Sequence, residues 1–234
     1  MASSVQQNGM QAARLQPTDT TEKVTSADHP TPFSTLVIAC GAIAHELVAV
    51  SKANDWQHLD IQCLPAEWHN HPEKITPAIE EKILQYRCQY PQIFVAYADC
   101  GTGGHLDALL SKHNIQRLPG NHCYDFFAGQ DIFNAMADDE LGTFYLTDYL
   151  VDNFQRLIMD GMGITKHPEL LDQYFNHYTR LLYLRQNTSD QKMRIRMDKA
   201  KAAAQALQLP LQIHDTGLAR FARSLMPLQP VKAD

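Results

Sequence analysis

The sequence has no surplus of positive charge: its 234 residues carry 20 Lys and Arg against 26 Asp and Glu, a formal net charge of −6. Nothing in that balance neutralises a phosphate backbone, so nucleic acid is excluded as an expected partner. Also absent is any run near the ~20 apolar residues that a membrane span needs. The basic start and apolar stretch of a secretory signal are missing too. Five cysteines, Cys40, Cys63, Cys88, Cys100 and Cys123, form an odd set with no Cys-x-x-Cys pair. This excludes the usual zinc-ribbon and ferredoxin spacings. It predicts free or metal-bound thiols in a reducing cytoplasm rather than a disulfide framework.

What is present is ordinary globular composition, 44% apolar and 20% charged. The expected organisation is a disordered arm over 1–33, one α/β domain over 34–228 and a tail over 229–234. Leu36-Val37-Ile38-Ala39 reads as a buried strand, followed by Cys40-Gly41 and a helix through Val50. Residues 59–64 alternate as a second strand, and a helix is predicted over 72–90 with Ile75, Ile79, Ile83 and Tyr86 on one stripe. Ile93 to Ala98 is the clearest central strand, with a helix after it and a short strand at 115–118. Further on, helical pattern falls at 124–137, 149–159, 168–177, 190–207 and 217–225, and strand pattern at 142–146, 180–184 and 211–214. The alternation of strand and helix predicts a mostly parallel, doubly wound (Rossmann-like) sheet covered by helices on both faces.

Parallel sheets of this kind bind ligands outside the carboxyl ends of their strands. Three cysteines fall there. Cys40 follows the first strand, Cys100 follows the central strand, and Cys123 lies just past the fourth. Three thiolates meeting at one spot suit a soft metal: an iron–sulfur cluster with one open iron, or zinc. His69 and His71 sit i, i+2 in the loop after the second strand and are candidates for a fourth ligand. Cys63 and Cys88 read as packing residues. Asp99-Cys100-Gly101-Thr102-Gly103-Gly104 is the most distinctive segment. Its glycines permit positive φ, so Gly101, Thr102, Gly103 and Gly104 form a candidate nest for a substrate anion. It matches neither the Walker loop nor the dinucleotide fingerprint. Asp99 and His122 are candidate acid/base groups, and Tyr124, Asp125, Phe126 and Phe127 are candidate pocket walls.

The same residues carry a resemblance. Ala39-Cys40-Gly41-Ala42, Leu64-Pro65-Ala66 with His69-Asn70, Asp99 to Gly104, His122-Cys123-Tyr124-Asp125-Phe126-Phe127-Ala128-Gly129 and Gly142 to Asp148 occur in order. Together they resemble the bacterial and archaeal family numbered 1638 among domains of unknown function, over roughly Leu36 to Leu225. The resemblance implies no established activity. It does imply an association with corrinoid-dependent methyl-transfer systems, hence one-carbon metabolism. Cys40, Cys100 and Cys123 each lie in a matching motif, Cys63 and Cys88 do not, and Asp125 stands where Glu is the commoner choice.

Three functions are expected from different classes. The first is a metalloprotein, an enzyme or accessory factor of methyl transfer, with Cys40, Cys100 and Cys123 as ligands to an iron–sulfur cluster or zinc and a small-molecule substrate. The second is a metal-free enzyme with an anion in the glycine loop, Cys100 as nucleophile and Asp99 or His122 as acid/base. The third is a non-catalytic accessory factor or chaperone that binds a corrinoid protein or hands over its cofactor, with a corrinoid protein or methyltransferase as the expected partner.

Overall fold

The computed structural model describes residues 34–129, 133, 142–186 and 192–230. The expected arm over 1–33, the helical pattern past Gly129 and the last residues of the tail lie outside these. Four strands, β1 (Thr35–Cys40), β2 (Leu59–Leu64), β3 (Gln92–Ala96) and β4 (Gln116–Arg117), form one sheet in the order β2-β1-β3-β4. Every pairing in it is parallel, with Cys40 level with Leu64 and Ala39 level with Ala96. Leu36, Val37, Ile38 and Ala39 are wholly buried, as a central strand covered on both faces requires. Helices α1 (Ala44–Ala53), α2 (Ile75–Tyr86), α3 (His105–His113) and α4 (Cys123–Ala128) connect and flank these strands. Ile75, Ile79 and Ile83 of α2 are buried, each stabilising the fold by about 2 kcal/mol.

The remaining strands do not extend that sheet. β5 (Thr143–Leu146), β6 (Arg180–Arg185) and β7 (Leu211–Asp215) make a second parallel sheet in sequence order. It has its own core, built on Leu146, Leu181, Tyr183 and, from α7 (Lys192–Leu207), Ala200, Ala203 and Leu207. The α/β class is as expected, with its parallel strands divided between a four-stranded and a three-stranded sheet.

Helix boundaries differ from expectation in two places. The region from 72 opens as a 3₁₀ turn and the α-helix ends at Tyr86, so Cys88 is exposed rather than packed. The helix expected over 149–159 is broken. A short α5 (Asp148–Asp152), capped by Thr147 Oγ1 accepting from Leu150 N–H at 3.3 Å, gives way to a π-helical segment over Gln155–Asp160. After α6 (Leu170–Phe175), β6, α7 and β7, the chain returns to the first core through α8 (Ala219–Ser224). Phe221 there packs against Phe126 and Phe127 with ring centroids 6.3 and 5.2 Å apart.

Candidate functional site

Each strand of the first sheet delivers one chemically distinctive side chain to the same edge. β1 ends on Cys40. β2 leads into a 3₁₀ turn, Ala66–Asn70, that carries His69. β3 leads through Tyr97 to Cys100, and β4 leads to Cys123, the first residue of α4. Because all four strands are parallel, these are all carboxyl ends. β1 and β3 lie side by side where the winding reverses, the position at which such sheets form a crevice.

Local backbone contacts draw the loops together. Asp99 N–H donates to Gly120 O at 3.2 Å and Cys100 N–H to Asn121 O at 2.9 Å, which ties the Cys100 turn to the segment that enters Cys123. Arg117 braces that segment by donating from Nη1 to Leu118 O at 2.7 Å and Gly120 O at 3.1 Å, while its Nε and Nη2 hold Asp107. Gly41 lets the β2 exit approach Cys40, since a Cβ there would stand 3.0 Å from Leu64 O. Cys100 itself has φ +50, in a run where Gly101, Gly103 and Gly104 also have positive φ. A non-glycine residue in this region costs about 1–2 kcal/mol, and such strain gathers at functional positions.

His69 is the hub. Its Nδ1 lies 3.7 Å from Cys40 Sγ, and the ring also interacts with the Cys100 and Cys123 sulfurs. Cys40, Cys100 and Cys123 are buried, at 2%, 8% and 7% exposure. His69 is exposed, so it forms the mouth of the cluster, with its Nδ1 edge turned to sulfur and another face in solvent. Desolvation alone would lower its pKa. The negative charge of Cys40 and hydrogen bonds with Cys100, Cys123 and Cys40 outweigh that and raise it above the ordinary histidine value, the more so because the ring stays partly hydrated. Cys123 is pushed up by burial, with His69 pulling the other way. Cys40 Sγ accepts from Ala42 N–H at 3.4 Å, which fixes the sulfur at the start of the turn.

Tyrosines wall the cluster. Tyr97 is 2% exposed, and its hydroxyl finds no hydrogen-bond partner. Burial first, then the charge of Cys40 and Cys100, raises its pKa. Tyr149 of α5 is raised by burial and then by Cys40, which places the second half of the molecule beside the site. The π-helical segment docks there too. Asn70 Nδ2 donates to Leu157 O at 3.2 Å, and Arg156 pairs with Glu67. π-Helical turns are frequent at functional positions.

Other candidate residues lie elsewhere or are already engaged. His71 is exposed and faces Glu73, its Nδ1 3.3 Å from Oε1. His122 is exposed at the start of α4 and is not among the groups that meet the sulfurs. Asp99 accepts from Thr102 Oγ1 at 2.6 Å, Gly104 N–H at 3.0 Å and Gly103 N–H at 3.2 Å. Its pKa is lowered overall, these bonds and Arg117 overcoming a desolvation effect that would raise it. The glycine nest is thus filled by the chain's own carboxylate, which leaves neither those amides nor Asp99 idle for a substrate. Gly101 rests against Pro72. Among the described residues, no three His, Cys, Asp or Glu side chains are drawn close enough to hold a metal ion as they stand.

Tyr97 was not singled out by the sequence. Inside an apolar strand a tyrosine reads as packing, and only its polar tip distinguishes it from Phe94. Tyr149 and the π-helical segment were hidden within what scans as one helix.

No curated protein and no solved structure matches the chain. A family model does, over residues 63–225, a span that includes His69, Cys100 and Cys123 and begins after Cys40. The chain therefore belongs to the family described as "Protein of unknown function (DUF1638)".

Proposed function

We propose that the protein is a metal-binding enzyme or accessory factor of one-carbon, corrinoid-linked methyl transfer, with Cys40, Cys100, Cys123 and His69 holding a soft metal. The observation that carries this reading is His69 facing three buried sulfurs. With metal–sulfur and metal–nitrogen bonds near 2.3 and 2.0 Å, two ligands on one tetrahedral zinc lie roughly 3.6 Å apart. The 3.7 Å between Cys40 Sγ and His69 Nδ1 is close to that. The donor set, three sulfurs and one imidazole nitrogen, suits zinc, and the iron–sulfur alternative would use the sulfurs with His69 beside an open iron. The sulfurs do not stand close enough together to share an ion as they are, so metal binding requires them to close in.

When bound, zinc supplies Lewis acidity that turns a coordinated thiol into a nucleophile toward a methyl donor at neutral pH. The chain's own groups do the rest. Three buried sulfurs fix the centre, and His69 is the ligand that solvent or substrate reaches first. The unpartnered Tyr97 hydroxyl has a hydrogen bond to give to a sulfur within the cluster. Buried Tyr97 and Cys123 keep water from the inner side. The association with a corrinoid protein or methyltransferase is part of the proposal and rests on family resemblance alone.

A second reading is favoured by the looseness of the sulfurs: a metal-free thiol enzyme. In that version His69 replaces Asp99 and His122 as the proton acceptor, and Cys40, 3.7 Å from its Nδ1, is one thiol within its reach. Elemental analysis of protein purified without oxygen tests both. About one zinc per chain, or iron with matching sulfide, supports the first reading. Metal-free protein under anaerobic and zinc-supplemented conditions, with a single fast-alkylating cysteine, supports the second.

A further inference from the structure

We propose that Asn70 is a positioning residue: bound to the Leu157 carbonyl of the other half of the molecule, it holds the His69 ring on the sulfurs. This role rests on the reading of His69 as a metal ligand, and it gives the half that carries β5, β6 and β7 a part in the site.

Packing fixes only one side of the turn over Ala66–Asn70. Ala66 is buried and Trp68 packs against the first core. Glu67, His69 and Asn70 are exposed, so polar contacts must hold that side. In a 3₁₀ turn, residues three apart stand one above the other. Glu67 and Asn70 are such a pair, and both meet the π-helical segment. Glu67 pairs with Arg156, and Asn70 Nδ2 donates to Leu157 O at 3.2 Å. His69, one residue before Asn70, is turned to Cys40 instead.

The irregular helix supplies the acceptor. In an α-helix Leu157 O would accept from Gly161 N–H. Here Gly161 N–H turns to Ile158 O, as does Met162 N–H at 3.0 Å. Leu157 O is thereby released to Asn70. Gly161 also leaves room for the amide, since a Cβ there would collide with Leu157 O and stand 3.1 Å from Asn70 Nδ2. The seat itself is firm. Leu157 and Ile158 are buried, and Arg156 Nη2 donates to Tyr149 Oη at 3.2 Å and to Asn153 Oδ1 at 3.1 Å. The turn thus gains a fixed point one residue from the ligand, the kind of outer contact that orients metal-binding side chains.

A double-mutant cycle on zinc affinity, read by chelator competition with the full chain, tests this. Asn70→Ala, on an exposed residue, is expected to weaken zinc roughly three- to tenfold. Gly161→Ala, which reaches the same bond from the other half, is expected to do likewise. In a His69→Ala background both effects should shrink to less than about twofold, because no ring is left to position. A residue that only stabilises the fold would weaken zinc by the same factor in both backgrounds. In metal-free protein, amide hydrogen exchange over residues 66–71 should be about threefold or more faster in Asn70→Ala than in the natural chain. An Asn70→Ala variant within about twofold of the natural chain in zinc affinity, an equal loss with and without His69, or unchanged exchange of the turn overturns the proposal. A natural chain that takes up no zinc sinks the metal reading instead, and the exchange rates then decide alone whether Asn70 holds the turn.

Discussion

Nδ1 of His69 and Sγ of Cys40 stand 3.7 Å apart although 29 residues separate them in the chain. The contact exists because β1 and β2 are parallel and level at their ends, Cys40 opposite Leu64, and because Gly41 has no side chain to hold the β2 exit away. The same edge brings Cys100 and Cys123 to that ring through two backbone hydrogen bonds between their loops. A site of this form is sensitive to its loops in ways that can be measured.

His69→Ala is expected to weaken zinc by about tenfold or more, since one of four ligands is lost while the buried sulfurs remain. Competition with a chromogenic chelator checks it. His71→Ala, on the exposed turn beside Glu73, is the control and should change affinity by less than about twofold.

Cys100 occupies a left-handed backbone conformation at φ +50. In metal-free protein, Cys100→Gly relieves about 1 kcal/mol of strain, which offsets most of the lost burial. Cys63→Gly, at the next-to-last position of β2, has no such relief and should cost about 2 kcal/mol. Urea unfolding of the two variants compares them. Equal losses would show that the turn is not strained.

Glu46 lines a crevice of about 260 Å³ with Asp148, Asp152 and Arg196. Burial, followed by smaller effects that include the charge of Asp148, raises its pKa from 4.5 to about 7, and its Oε2 has no partner. The folded state therefore binds a proton more tightly than the unfolded chain. The stability that this proton contributes is fully present below about pH 4.5 and is lost as pH rises through about 7. Unfolding free energy should fall by about 2 kcal/mol between pH 5 and 8, and Glu46→Gln should flatten that slope. Asp99, Asp107 and Asp152 have lowered pKa values, so their stabilisation is lost only in acid, outside this window.

Asp148 is 1% exposed and fully engaged, by Tyr183 Oη at 2.6 Å, Gln186 N–H at 3.2 Å and Arg196 Nη1 at 2.7 Å. Arg196→Met leaves that buried charge without its counter-ion and is expected to cost about 3–5 kcal/mol in thermal or urea unfolding. Lys199→Met removes only the outer partner of Asp152 and should cost less than about 1 kcal/mol.

Much of this was legible in the sequence. The apolar run of β1, the alternation of β2 and the Gly-rich exit of β3 fixed three strand ends, and parallel winding placed Cys40, Cys100 and His69 on one edge. Two features were not legible. Strand pairing leaves no trace in periodicity, so β5, β6 and β7 read as a continuation of one sheet when they form their own. Of the paired histidines in one loop, spacing could not say which turns inward. The 3₁₀ turn over Ala66–Asn70 decides it, directing His69 to sulfur and leaving His71 with Glu73. The glycine loop misled for a related reason. Its amides do form an anion nest, but the anion is Asp99, within hydrogen-bond reach in its own turn.

The most direct test of the central claim is elemental analysis of the natural chain and Cys123→Ser, both isolated without oxygen. A shared metal centre predicts about one zinc, or a stoichiometric iron–sulfur complement, in the natural chain and its loss or sharp reduction in the variant. Metal-free natural protein after zinc supplementation, or the same metal content in both proteins, would contradict it.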